Sequence, residues 1–435
     1  MKQLLPIIIG ATLSGLAFNA SADSIKDIYE QAKTNDPTLL SAAAQRDAAF
    51  EAINSSRSTL LPQIQLTAGY DIDRGENNNV TQNINGWSTT LGFSQELYNR
   101  SSWITLDTAE KNARRSDASY AVAQQALILR VSQAYFNVLR AQDSLVFVRA
   151  EKAAVARQLE QTKQRFEVGL SAITDVHDAQ AQYDRVLADE VLAQNTLTNS
   201  YEGLREITGQ EHSNLDVLDT GRFKASATPT GVEDLIDQAQ QRNLSLLSAR
   251  INQDIARDNI SLSSSGHLPS LTLDGGYTLA DDSRPSNIQN YNNLNVGINL
   301  SVPIYSGGSV TSKTKQAEYA YVSASQDLEA TYRSVVRDVR AFNNNITSSI
   351  GALRAYEQSV ISARSALEAT EAGFEVGTRT IVDVLDSTRR LYDANRNLSN
   401  ARYDYIQSVL QLRQAVGTLS EQEILDIDAG LKAAQ

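Results

Sequence analysis

The sequence contains no cysteine. Neither a disulfide framework nor a thiolate metal site can form. Only three histidines occur in 435 residues, His177, His212 and His267, and they are too scattered for a zinc enzyme. Proline is scarce too, at seven residues, which permits long unbroken helices. Basic charge is in deficit: 39 Lys and Arg against 51 Asp and Glu give a formal net charge of −12. So acidic a chain has no electrostatic footing for general nucleic-acid binding. With 41% hydrophobic residues, an ordinary bundle of transmembrane helices is excluded as well. There is no P-loop, no G-x-G-x-x-G after a strand, no H-E-x-x-H and no nucleophile elbow. The sequence therefore points to no cofactor and no catalytic group.

What is present begins with a leader. Lys2 precedes an apolar run from Leu4 to Phe18, and Ala20-Ser21-Ala22 forms an A-x-A cleavage pattern. Residues 1–22 read as a secretory signal peptide, cut before Asp23. The run is short for a membrane span, and without cysteine no lipid can be attached to a Cys after the cut. A cysteine-free exported acidic protein fits a bacterial envelope.

The rest of the chain repeats itself. LPQIQLTAGYDI (Leu61–Ile72) matches LPSLTLDGGYTL (Leu268–Leu279) at an offset of 207. FEVG at Phe166–Gly169 matches FEVG at Phe374–Gly377 at 208, followed by Asp175, Val176 and Asp178 against Asp383, Val384 and Asp386. The matches stay in order, so the spacing predicts an internal duplication. The first repeat runs over 23–217, with strands about 62–76 and 84–98 and long helices about 101–168 and 171–208. The second runs over 218–435, with strands about 269–281 and 292–305, long helices about 307–376 and 379–417, and a C-terminal segment. The stretch Gln210 to Thr230 reads as the linker between them.

The strands show period-two alternation. Ile64, Leu66, Ala68, Tyr70 and Ile72 alternate with polar residues, as do Leu294, Val296, Ile298, Leu300 and Val302. About ten residues per segment suits a lipid-facing barrel strand. The same pattern suits a soluble sheet with one buried face, and patterning alone does not choose. Gly75 to Gly86 and Asp281 to Asn293 read as polar connecting loops. Four strands cannot close a barrel, and open edges cannot sit in lipid. Strands that span a membrane therefore require several chains per barrel, and a trimer would supply twelve.

No Pro or Gly occurs between Tyr98 and Gly169. Leu127, Val131, Ala134, Val138, Ala141, Leu145 and Val148 form a strict heptad, with Ile128, Tyr135, Leu139 and Val146 as a second seam. Two seams predict one helix packed against two neighbours, as in a ring of helices. Leu328, Tyr332, Val335, Val339, Phe342, Ile346, Leu353, Tyr356, Val360, Ala363 and Leu367 repeat the spacing in the second half, broken once at Ser349. Asp36-Pro37 reads as an N-cap with proline in the first turn. Thr230 with Glu233, and Ser420 with Glu423, read as capping boxes.

Chemistry concentrates at the turns between long helices, where Gly169 and Gly377 read as helix C-caps. Asp383 and Asp386 stand at i and i+3, on one helix face. They compensate the helix dipole or, if a threefold axis passes this face, form two stacked carboxylate rings that select cations. Arg379 could hold such a narrowing by charge-assisted bonds to a neighbouring helix. His177 lies near Asp175 and Asp178 but, lacking further ligands, reads as a solvated face.

VGLSAITDV (Val168–Val176), NLSLLSAR (Asn243–Arg250), GHLPSL (Gly266–Leu271), PIYSGG (Pro303–Gly308) and VGTRTIVDVLD (Val376–Asp386) complete the picture. On these motifs the whole chain resembles the TolC family of outer-membrane efflux channel-tunnels, in its enterobacterial type. The resemblance implies an α+β membrane protein. Three chains would share a 12-stranded outer-membrane β-barrel, four strands from each, continued by a 12-helix periplasmic α-barrel. It implies a pore constriction at Asp383 and Asp386, and a periplasmic gate at Gln164, Thr174, Asp175, Phe374 and Arg379. It implies adaptor docking at Val168, Gly169, Leu170, Val376, Gly377 and Thr378. The implied partners are two further copies of the chain, a periplasmic adaptor, an inner-membrane RND or ABC pump and outer-membrane lipid. No cofactor is implied. Phe374 stands where the family carries a gate tyrosine, so a hydroxyl bond to Asp175 is missing and the resting gate relies more on Arg379. The competing reading is a trimeric coiled-coil surface stalk, which has no need of a second strand pair.

Overall fold

The structure is a computed structural model that describes residues 23–77, 80–284 and 287–433. The leader expected over residues 1–22 lies outside the described residues. Helices α1 (Ile25–Asn35) and α2 (Pro37–Ser58) lead into strands β1 (Gln63–Asn77) and β2 (Val80–Asn99). Two long helices follow, α3 (Arg100–Glu167) and α4 (Ile173–Thr208). After the short β3 (Val217–Leu218) the same order returns: α5 (Val232–Arg242), α6 (Leu244–Ser264), β4 (Ser270–Arg284), β5 (Asn287–Ser301), α7 (Ser309–Glu375) and α8 (Ile381–Val416). A short α9 (Gln422–Asp428) and β6 (Leu431–Lys432) close the described chain.

The four long strands form one antiparallel sheet in the order β1-β2-β4-β5, so the two repeats join through β2 and β4. Register aligns the two faces. Leu66, Leu91, Tyr277 and Leu294 stand opposite one another across all four strands. All four are exposed, as are Ile64, Val296 and Ile298 on the same face. The other face is polar: Thr90 and Thr278 hydroxyls meet at 3.0 Å, and Asp274 accepts from Ser94 and Asn299. An apolar face without cover beside a bonded polar face is the order of a barrel wall in lipid, not of a soluble sheet.

Two expectations fail here. The polar segments Gly75–Gly86 and Asp281–Asn293 are strand at all their described residues. Pairing continues to Asn77↔Val80 and Arg284↔Asn287. Strands of 15–20 residues reach about 50–65 Å, well beyond a hydrocarbon layer of about 30 Å. The backbone ladder persists where the side-chain alternation of the sequence fades.

The α3 helix is 68 residues long, about 100 Å. It starts where the Asn99 side chain accepts from Ser101 N–H, directly at the end of β2. Halfway along it, Leu127, Val131, Tyr135, Phe136 and Val138 enter a core with Ile25, Ile28 and Tyr29 of α1, Leu204 of α4, Tyr403 and Leu410 of α8, and Ile424 of α9. A second core joins α5 and α6 to α7 and α8 through Leu235, Ile236, Val335, Val339, Leu398 and Leu412. Asp36 caps α2 and receives both guanidinium nitrogens of Arg130, at 2.7 and 2.9 Å.

The stretch read as a linker holds β3, which pairs with β6 and fastens the C-terminal segment to the middle of the molecule. Thr230 caps nothing: Gly231 is the N-cap of α5 and offers no side-chain bond. Glu423 does take Ser420 N–H and hydroxyl, but α9 begins one residue later and the serine oxygen accepts from Gln422 instead. Among the described residues no helix is long and apolar enough to cross a membrane.

Candidate functional site

Both long hairpins end in the same backbone motif. At the first tip Gly169 takes φ +77°, Leu170 N–H donates to Arg165 C=O, and Gly169 N–H donates to Phe166 C=O. At the second, Gly377 takes φ +78°, Thr378 N–H donates to Gly373 C=O, and Gly377 N–H donates to Phe374 C=O. Each is a Schellman turn, which satisfies the last carbonyls of the helix and needs a residue that tolerates positive φ. The turns push their flanking side chains outward: Val168, Leu170 and Val376 are 69–75% exposed. Thr378 is tied down, its hydroxyl donating to Gly373 C=O.

The helices that follow start differently. Thr380 and Asp383 form a reciprocal capping box at α8. Asp383 Oδ2 accepts from Thr380 N–H and hydroxyl, both at 2.9 Å. Those bonds, the backbone one foremost, hold the Asp383 carboxyl below the usual carboxylate range. At α4 the N-cap is Ala172, which has no side-chain acceptor, so Asp175 works alone, accepting from Ser171 hydroxyl and Ala172 N–H.

One turn after Asp383, Asp386 is fully engaged. Its Oδ1 lies 2.8 Å from Arg389 and its Oδ2 2.6 Å from Arg390. Ile381, Val384, Leu385 and Thr388 are buried on the opposite side of this helix end. Arg379 is exposed, and among the described residues its guanidinium has no hydrogen-bond or ion-pair partner within the chain. Its stem lies on Gly373, where a Cβ would come within 2.8 Å of Arg379 Cγ.

The expected gate residues are thus not linked to one another inside one chain. Gln164 reaches only Glu160, and Thr174 is exposed. Phe374 does bridge the hairpins. It packs beside the tip cluster of Val155, Leu159, Ala179, Ile381 and Leu385. The Arg165 guanidinium lies over its ring, 4.6 Å from the centroid. Arg165, Arg389 and Arg390 escaped the sequence reading. The i+3 and i+4 spacing from Asp386 signalled the last two; the Arg165–Phe374 pair left no local signal. Among the described residues no cluster of metal-ligand side chains occurs.

A family description, outer membrane efflux protein, matches this chain twice, over residues 28–210 and 235–418. The chain belongs to the outer membrane efflux protein family. The double match coincides with the two structural repeats. Outer membrane protein TolC of Vibrio cholerae is 70% identical over all of both chains. Proteases secretion protein PrtF of Dickeya chrysanthemi is 28% identical over 98% of this chain and 95% of its own. The solved CmeC outer membrane channel of Campylobacter jejuni shares the fold, with a TM-score of 0.79, 16% identity and coverage of 99% and 97%. This efflux-family chain is an outer-membrane export channel, and the family is one of channels rather than enzymes.

Proposed function

We propose that three copies of the chain build one passive duct, whose helical end is gated at the two Schellman tips. The observation that carries this reading is the four-stranded sheet with an apolar outer face and two unpaired edges, β1 and β5. In lipid each open edge would leave backbone groups without partners, so β1 must meet β5 of another copy. Three copies give twelve strands, enough to close a barrel, and place twelve long helices beneath it.

In this duct Asp383 and Asp386 line the constriction. Arg379, without a hydrogen-bond or ion-pair partner among the described residues, bonds across to a neighbouring helix and, with Gln164, Thr174, Asp175 and Phe374, holds the tip closed. Val168, Leu170 and Val376 present exposed apolar knobs on rigid turns made by Gly169, Gly377 and Thr378, and the six together suit a periplasmic adaptor. The adaptor couples the duct to an RND or ABC pump in the inner membrane. Cargo is small drugs or bile salts in efflux, and proteins in type I secretion. The protease-secretion relative supports the second.

The test is conductance of purified protein in a planar bilayer, wild type beside Arg379→Ser. Small steps that grow in the variant support the gated duct. Equal steps remove Arg379 from the gate. Folded protein that gives no steps and no heat-sensitive trimer on a gel would leave the surface stalk.

A further inference from the structure

Helix α8 carries a charge pattern that its internal duplicate lacks. At the repeat offset of 208, Asp383 and Asp386 correspond to Asp175 and Asp178, whereas Arg389 and Arg390 correspond to Ala181 and Gln182. The structure shows what the two arginines do: each takes one oxygen of Asp386, at 2.8 and 2.6 Å. Asp178 is exposed, with no ion pair among the described residues. At about 100° per residue, Asp383, Asp386 and Arg390 fall within one sector of about 60°. That sector lies opposite the buried Ile381, Val384 and Thr388. Arg390 stands about 6 Å along the axis from Asp386, and its side chain is 73% exposed. Arg389 turns to the side, into the cleft between α4 and α8 that Asp178, Arg185 and Asp386 also line.

We propose that the constriction holds one working carboxylate ring, at Asp383, followed by a mixed ring in which Arg389 and Arg390 outweigh Asp386. This rests on the threefold duct proposed above and decides which ions it favours. Among the described residues Asp383 keeps one carboxylate oxygen without a bonded partner, while the other takes the Thr380 bonds. Asp386 has both oxygens occupied. Over these two turns the two carboxylates and two guanidinium groups sum to zero. The resting pore therefore discriminates weakly between small cations and anions and binds multivalent cations loosely. Anionic cargo meets a guanidinium ring immediately beyond the carboxylates rather than a second negative barrier.

The experiment reconstitutes the full chain in planar bilayers under a KCl gradient. Reversal potential and half-blocking La3+ concentration are measured for wild type, the Arg389→Ser/Arg390→Ser pair, the Arg389→Lys/Arg390→Lys pair, and Asp383→Ser. In the serine pair the K+/Cl− permeability ratio rises and the half-blocking concentration falls at least tenfold. The lysine pair stays near wild type. Asp383→Ser removes most of the remaining block. A serine pair with the wild-type ratio and block would overturn this inference while leaving the duct intact. Folded trimers without conductance in every variant would overturn the duct and the inference together.

Discussion

The contact of Arg165 with Phe374 makes a quantitative statement about the gate. It joins the end of α3 to the end of α7, and so ties one hairpin to the other. A cation over an aromatic face is worth about 0.5–1 kcal/mol when exposed and about 2 when desolvated. Both residues are half-buried, which places the contact near 1 kcal/mol. If the three hairpin pairs of a trimer separate together on opening, the closed state loses about 3 kcal/mol, roughly a hundredfold in the closed-to-open ratio. Arg165→Gln keeps most of the stem and removes the charge; Phe374→Leu keeps apolar volume and removes the ring face. Each variant raises the open fraction in single-channel records by one to two decades. The double variant adds little to either, because both remove the same contact. Thermal stability of the trimer, read by heat-dependent gel migration, stays near wild type. Additive effects of the two substitutions, or wild-type gating in Arg165→Gln, would refute the reasoning.

Other positions are equally open to test. At Gly417 φ is +82° and a Cβ would sit 2.4 Å from Arg242 C=O, so Gly417→Ala costs about 2–5 kcal/mol from backbone strain plus overpacking; Gly209→Ala, with open space around it, costs about 1–2, and heat dissociation ranks the two. Burial pushes the Asp36 carboxyl up, but the Arg130 guanidinium and the Leu39 N–H outweigh it and hold it below the usual range. Its stabilisation is therefore complete above the ordinary carboxylate pKa and lost as pH falls through the lowered one. Asp36→Asn costs about 2 kcal/mol at neutral pH, discounted for an Arg130 that is 36% exposed, and flattens the acid limb of the melting curve. Gly373→Ala displaces the Arg379 stem and raises closed-state conductance as Arg379→Ser does, with little change in melting. Phe374→Tyr keeps the ring and adds a donor for Asp175, so closed-state conductance falls; no change would count against that link.

Periodicity carried most of the fold. The heptad from Leu127 to Val148 is buried apart from a half-exposed Ala134, because a strict 4,3 spacing over three heptads has few other uses. Its second seam holds at Ile128, Tyr135 and Leu139, then opens: Val146 is 57% exposed. That face lacks a partner within one chain, and intrachain packing is what burial in one chain reports. The strand ends were misread because side-chain alternation marks a boundary between lipid and polar surroundings, whereas pairing needs only backbone groups. The pairing of β3 with β6 was invisible for another reason. Two residues bonding to two others more than 200 positions away leave no period, and tertiary contact alone selects them.

At the tips, glycine announced itself because only positive φ completes a Schellman turn, and both FEVG motifs gave that geometry. Residue types were legible there, but charge was not. A pair of aspartates three residues apart reads as two negative groups, and Asp383 is one. The second is paired with two arginines in the following turn, Arg389 and Arg390, so its net field is set by residues outside the motif. The duplicate makes the point within one chain: at Asp175 and Asp178 the same two aspartates are followed by Ala181 and Gln182, which carry no charge. Motif spacing marks two carboxylates, whereas the selectivity of the proposed constriction follows from the charge summed over the helix turns that carry them.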